Sequence, residues 1–330
     1  MTQHAARRPQ SRGLAPPPLV RAPFARGGLI VAVALGAACG GGSSPSSPPS
    51  PPTVSSLDTT GFLAFVSGTS PLVIVAPHGG SLKPVAIPDR TCAGCSTDAD
   101  LNTEDLAQRV VDAFAARTGR RPFLALNHLH RIKFDGNRDL DEATGGHAIL
   151  NGVWNTWQDN LDSATARAAR LNGGRGLYIE LHGHAHAIAR VEIGYLLTSA
   201  QLRLTDAELS AAAAMRQSSI ARLATDARSG ASDVALLRGA PSLGALLWGA
   251  GYASVPSPND PAPKSGEDYF TGGYNTARHG SSTGGATDAV QVECYFAGIR
   301  DTAENRAAFA EALAAILEEF LKKQYGWPSP

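Results

Sequence analysis

The histidines of this chain fall where chemistry could use them. His78 closes an apolar run in "VIVAPHGG". His182, His184 and His186 alternate in "IELHGHAH", directly after another such run. His128 and His130 follow a third, "PFLALNHL". Zinc accepts imidazole nitrogen and carboxylate oxygen, and it keeps one position for water when catalytic. Carboxylates are at hand: Asp98, Asp100 and Glu104 crowd "TDADLNTEDL", and Glu293 lies inside "AVQVECYF". A charged glutamate in an apolar run is costly unless paired or functional, so Glu293 is the least ordinary carboxylate of the chain. "HRIKFDGNRDLD" adds the cations Arg131, Lys133 and Arg138 beside Asn137. An Asn-Arg pair can grip a substrate carboxylate bidentately. Together these residues read as a zinc hydrolase in which a glutamate moves a proton from water to a leaving amine. Each has a plainer reading when taken alone. A strand-end histidine can bond nearby backbone, acids favour helix starts through the dipole, and a mixed-charge segment can be a solvated loop. No G-x-S-x-G elbow, P-loop or H-E-x-x-H is present, which removes common rivals.

These residues need elements to hold them. Apolar runs at 71–78, 122–129, 176–182, 191–197 and 289–296 have strand length. They are too continuous for half-exposed strands and suit a sheet covered on both faces. Helical patterns lie between them. In "TEDLAQRVVDAFAARTG", Thr103 can cap, Leu106, Val110 and Phe114 share a face, and Gly119 ends the helix. Near the C-terminus, Asp301 and Glu304 form a capping box before the stripe Phe309, Leu313, Ile316, Leu317 and Phe320. More helix is expected over 156–172 and 205–227. Alternating strands and helices argue for an α/β fold with a mostly parallel sheet. Ligands then bind beyond the carboxyl ends of the strands, which gives His78, His182 and Glu293 one address. Gly79 and Gly80 are expected to let backbone approach a ligand.

The ends of the chain differ from its middle. Five arginines precede the run "GGLIVAVALGAAC", which is short for a transmembrane helix and ends in small residues before Cys39. Residues 1–39 therefore read as a lipoprotein-type signal peptide. Residues 40–56, "GGGSSPSSPPSPPTVSS", read as a tether that cannot bury a core. Residues 57–330 suit a single catalytic domain. The expected location is outside the cytoplasm, on the bacterial cell envelope, with membrane contact only through the lipid anchor. Lys plus Arg and Asp plus Glu each number 29 in 330 residues, so net charge gives no reason to expect nucleic acid as partner. Cys92 and Cys95 in "CAGC" suit a local disulfide in an exported protein, and Cys294 suits a small core residue.

"APHGG", "DGNRD", "IELHGH", "GGYNTARHG" and "AVQVE" occur in an order that resembles the N-formylglutamate amidohydrolase family, within the wider zinc carboxypeptidase-like hydrolases. The resemblance spans about residues 71–300. It implies a three-layer α/β/α fold with a mixed, mostly parallel sheet, of the zinc-peptidase (phosphorylase/hydrolase-like) architecture. It implies zinc held by His78, Asp100 and His182, with Asp98 and Glu104 as other choices for the carboxylate ligand. It further implies Glu293 as general base and Asn137 and Arg138 as the grip on a substrate carboxylate. Arg278 and His279 would then contact substrate or the developing oxyanion. The implied activity is hydrolysis of an amide bond in an N-acyl amino acid or short peptide with a free carboxylate. A carboxypeptidase-like zinc peptidase is one alternative. A surface-tethered binding protein that keeps the fold without turnover is another.

Overall fold

The computed structural model of the chain describes residues 54–57, 61–92, 94–211, 214–285 and 287–328. The expected signal segment 1–39, and residues 40–53 of the expected tether, lie outside the described residues. The strands are β1 (Val54–Leu57), β2 (Leu63–Val66), β3 (Leu72–Ala76), β4 (Phe123–Asn127), β5 (Gly176–His184), β6 (Val191–Gly194), β7 (Ser254–Val255) and β8 (Thr287–Tyr295). They form one mixed sheet in the order β1-β2-β4-β3-β5-β8-β6-β7. Its centre, β4-β3-β5-β8, is parallel, while β2 on β4 and β6 on β8 are antiparallel.

The sheet is covered on both faces because successive strand residues point opposite ways. Leu72, Ile74 and Ala76 of β3 pack with Leu106, Val110 and Phe114 of the Thr103–Thr118 helix and with Phe309 and Leu313 of the Ala303–Phe320 helix. Val73 and Val75 face the other way, onto Val153, Trp157 and Leu161 of the Ala148–Arg170 helix. The result is the expected three-layer α/β/α arrangement. After β3 the chain builds β4 on one side of it and later β5 on the other. The carboxyl ends of β3 and β5 thus flank a topological switch point, where open α/β sheets bind ligands.

Several local readings are corrected. Strands β1, β2 and β7, at the two ends of the sheet, have two to four residues, too short to stand out as apolar runs, and β1 starts inside the segment expected to be tether. The cap of the Thr103–Thr118 helix is Asn102, not Thr103; the Thr103 hydroxyl donates instead to the Asp100 carbonyl, 2.8 Å. Thr302 caps the last helix through the Asn305 N–H, 3.1 Å, in place of an Asp301–Glu304 box. The 205–227 segment is not one helix: among its described residues, Ala214–Gln217 and Ala221–Asp226 are separated by a turn at 218–220. Gly79 and Gly80 make room for protein, not ligand. A Cβ on Gly79 would meet Thr103 and Glu104, and one on Gly80 the His128 carbonyl. Cys92 and Cys95 are joined as a disulfide, and Cys294 is a buried free thiol on β8. Among the described residues, no helix is long and apolar enough to cross a membrane.

Candidate metal centre

Three side chains converge at the switch point. His78 follows β3 after Pro77, and His182 sits near the end of β5. Asp100 precedes the Thr103–Thr118 helix, and two features swing it inward. Its backbone N–H donates to the His78 carbonyl, 2.9 Å. Asn102 then turns the chain through left-handed backbone, φ 68°, which asparagine tolerates better than most residues. His78 Nδ1 lies 3.1 Å from His182 Nδ1 and 3.4 Å from Asp100 Oδ2, and His182 Nδ1 lies 3.0 Å from the same oxygen. Donors around a tetrahedral zinc, each at about 2.0–2.1 Å, stand about 3.3–3.4 Å apart. The triangle of two nitrogens and one oxygen fits such an ion without rearrangement.

The outer nitrogen of each ring is also accounted for. His78 Nε2 contacts Asp135 Oδ1 at 2.5 Å; donation there leaves the Nδ1 lone pair facing the triangle. Asp135 is itself fixed by Arg131 Nε, 2.9 Å, and by the backbone N–H of Asn137, 3.0 Å. Carboxylates behind ligating histidines set the tautomer and raise ligand basicity. His182 Nε2 faces Asn137 Nδ2 at 3.3 Å and the fully buried Glu180 at 3.6 Å. Glu180 is oriented by Asn275 Nδ2, 2.8 Å.

The electrostatics favour a cation. Burial alone would lower the pKa of His182, but Glu293, Asp100 and Glu180 outweigh it and raise the imidazole to about 10. Burial alone would raise Asp100, yet hydrogen bonds from His182 and His78 hold its carboxyl well below the usual range. Surroundings that hold a proton this firmly on His182 are surroundings that would hold a divalent ion.

Glu293 is the neighbouring carboxylate. It stands directly beside His182 in the β5–β8 register and beside Glu192 in the β6–β8 register. Burial, with Asp100 and Glu192 nearby, lifts its pKa to about 8 against the opposing pull of His182. Gln291 Nε2 donates to Oε1 at 2.8 Å, while Oε2 has no hydrogen-bond partner although buried. Gln291 Oε1 is likewise buried and unpaired. Such orphaned oxygens are rare in folded chains and call for an absent partner. Both residues line a cavity of about 100 Å³ shared with His78, Asp100 and His182.

The other expected residues divide. Of the three acids, only Asp100 joins the cluster: Glu104 pairs with His128, 2.9 Å, and Asp98 is exposed. Arg138 lines the cavity, with Nε on Glu142 and Nη1 on the Asn137 carbonyl, both 2.8 Å. Asn137 lines it too, with its Oδ1 accepting the Asn275 N–H, 2.8 Å, and its Nδ2 facing His182 Nε2, 3.3 Å. Arg278 and His279 are not brought to the cavity. They close a six-residue helix, Tyr274–His279, that turns them toward Asp162 on the Ala148–Arg170 helix, at 2.7 and 3.3 Å. Asp135 and Gln291 were not among the expected site residues. Asp135 sits inside "KFDGN", a stretch with no local sign of burial. The cation that does reach the metal cluster is Arg131, which lies 3.7 Å from Asp100 and lines the cavity.

No family model and no curated protein sequence matches the chain. Solved structures do resemble it. One is the N-formylglutamate amidohydrolase of Ralstonia eutropha JMP134, 13% identical, covering 78% of this chain and 96% of its own, with a TM-score of 0.46. Another is a gene product of Agrobacterium tumefaciens, 11% identical, covering 79% and 94%, with a TM-score of 0.47. A third is a bacteriophage poly-gamma-glutamate hydrolase, 14% identical, covering 78% and 86%, with a TM-score of 0.36. At these identities and scores no activity carries over, and the chemistry has to be read from the side chains themselves.

Proposed function

We propose that this chain is a zinc-dependent amidohydrolase that cleaves the amide bond of an N-acyl amino acid or short peptide bearing a free carboxylate. One observation carries the reading: three convergent ligand atoms, on His78, Asp100 and His182, stand beside a buried Glu293 carboxylate whose Oε2 has no partner. A zinc ion held by these three would supply Lewis acidity and lower the pKa of a water. Glu293 Oε2, unpaired and facing the same cavity, would take a proton from the water that attacks the amide carbon. It returns the proton to the amine nitrogen as the C–N bond breaks. Substrate amide and water thus yield a carboxylic acid and an amine. Arg131, half-buried beside the cluster, places positive charge where the carbonyl oxygen gains negative charge. Arg138, which also lines the cavity, would face a substrate carboxylate with the part of its guanidinium not bonded to Glu142 and Asn137.

We further propose export and anchoring through an acylated Cys39, with residues 40–53 as the tether. Replacing Cys39 by alanine should then release the protein from the membrane fraction. Retention of that variant would contradict anchoring. The enzymatic reading is tested by metal analysis of the purified protein and a screen of N-acyl amino acids and short peptides with and without chelator. Chelator-sensitive amine release is expected, and turnover indifferent to chelator would overturn the proposal.

A further inference from the structure

Beside the metal cavity lies a cleft of about 530 Å³, a size that seats small organic ligands. It shares Asp100, Arg131, Gly183 and Phe270 with the cavity, so the two adjoin. Its open surface is mostly apolar, with Asp98, Asp100, Arg131 and Arg300 also on its lining. Leu101, Phe270 and Phe296 line it at 59, 42 and 38% exposure, and Phe270 and Phe296 are the only exposed phenylalanines among the described residues. A cluster of exposed apolar side chains rimmed by polar ones marks a ligand site more often than chance.

The walls are also held in place. The Phe270 ring stacks on His186, with centroids 4.6 Å apart and planes 20° apart. His186 Nδ1 pairs with Glu192 Oε1 at 2.9 Å, and the other Glu192 oxygen accepts the Phe270 N–H at 2.8 Å. On the opposite side, the Arg300 guanidinium lies 5.3 Å from the Phe296 centroid. Arg300 donates to the carbonyls of Leu101, Cys294 and His184 at 2.6, 2.9 and 3.3 Å, which ties this wall to β5 and β8. Gly183 is required there, because a Cβ would overlap the Arg300 guanidinium. Rings fixed in this way bind an apolar guest without first paying to order themselves.

We infer that this cleft seats the acyl side of the substrate, and that the acyl group is large and apolar, an aryl or medium-length alkyl chain rather than formyl. The inference rests on the hydrolase reading. Arg138 lines only the smaller cavity, which assigns the carboxylate-bearing amine half to that side and the acyl half to the cleft.

Binding tests it separately from turnover. N-formyl-, N-acetyl-, N-hexanoyl- and N-phenylacetylglycine are titrated by calorimetry into zinc-treated protein carrying Glu293→Gln. Affinity should rise up to about fourfold per added methylene, and phenylacetyl should outbind acetyl at least tenfold. Adding Phe270→Ala or Phe296→Ala should flatten the series; the half-exposed Phe296 keeps the test open should the first variant not fold. A flat series, no binding, or a slope unchanged in the folded alanine variants overturns the inference. Turnover of the same compounds by the unaltered protein, with and without chelator, judges the hydrolase reading on its own. Its failure would leave the binding series to decide the cleft.

Discussion

β5 carries two histidine-and-carboxylate clusters side by side. His182, with His78 and Asp100, forms one; His184, with His186 and Glu192, forms the other. Both have suitable residue types within reach, and they differ in what their atoms are already doing. His184 Nε2 donates to the Arg190 carbonyl, 2.8 Å, and Nδ1 accepts the His186 N–H, 3.2 Å. Glu192 spends one oxygen on His186 and the other on Phe270. A metal there would have to displace bonds already made. In the first cluster, two ring nitrogens and a carboxylate oxygen face one another across 3.0–3.4 Å, with carboxylates behind both rings. A metal there would replace hydrogen bonds that the three ligand atoms make with one another. Proximity of ligand types is therefore a weak criterion, and convergence of the ligand atoms on one point is a strong one.

The comparison can be broken in several ways. The largest effect is expected from His78→Ala or His182→Ala. Either should abolish stoichiometric metal in elemental analysis and with it all hydrolysis. Glu293→Gln should keep the metal and lower kcat by about 10²–10⁴-fold, the usual worth of positioned acid–base catalysis; steady-state kinetics beside metal analysis would show it. Asp135→Asn should weaken metal affinity by about 10–100-fold, read by competition with a chromophoric chelator.

pH separates the clusters in another way. In metal-free protein the folded-state pKa of His182 is raised from 6.5 to about 10, and that of Glu293 from 4.5 to about 8. Groups raised on folding contribute stability that is complete below their unfolded values and lost as pH passes their folded ones. Chelated protein should therefore lose melting temperature as pH rises from about 4.5 toward 10, through Glu293 up to about 8 and through His182 from about 6.5 upward. Zinc, by taking the place of the His182 proton, should flatten that slope. The smallest effect belongs to Arg278→Ala. It removes a half-exposed ion pair worth about 0–1 kcal/mol, and kcat/KM should stay within about twofold.

Legibility in the sequence followed burial. β3, β4, β5, β6 and β8 announced themselves as uninterrupted apolar runs because both faces of the sheet are covered. The positions of His78, His182 and Glu293 at or near strand ends came with them. Asp100 was reached by resemblance from among three acids, since nothing local separates it from Asp98. What picks it out in the structure is a backbone bond to His78 and the left-handed turn at Asn102. Asp135 gave no signal, because its partner lies 57 positions away. Arg278 and His279 were misplaced for the opposite reason. Their neighbours Gly272 and Gly273 do line the cavity, but one and a half helical turns carry the two side chains around to Asp162.

The most direct test is zinc stoichiometry, by elemental analysis of the purified protein and of a variant carrying both His184→Asn and His186→Asn. One zinc per chain in both is the expected result. One zinc in the unaltered protein falling to none in the variant, or no zinc in either, would contradict the assignment of the metal to His78, Asp100 and His182.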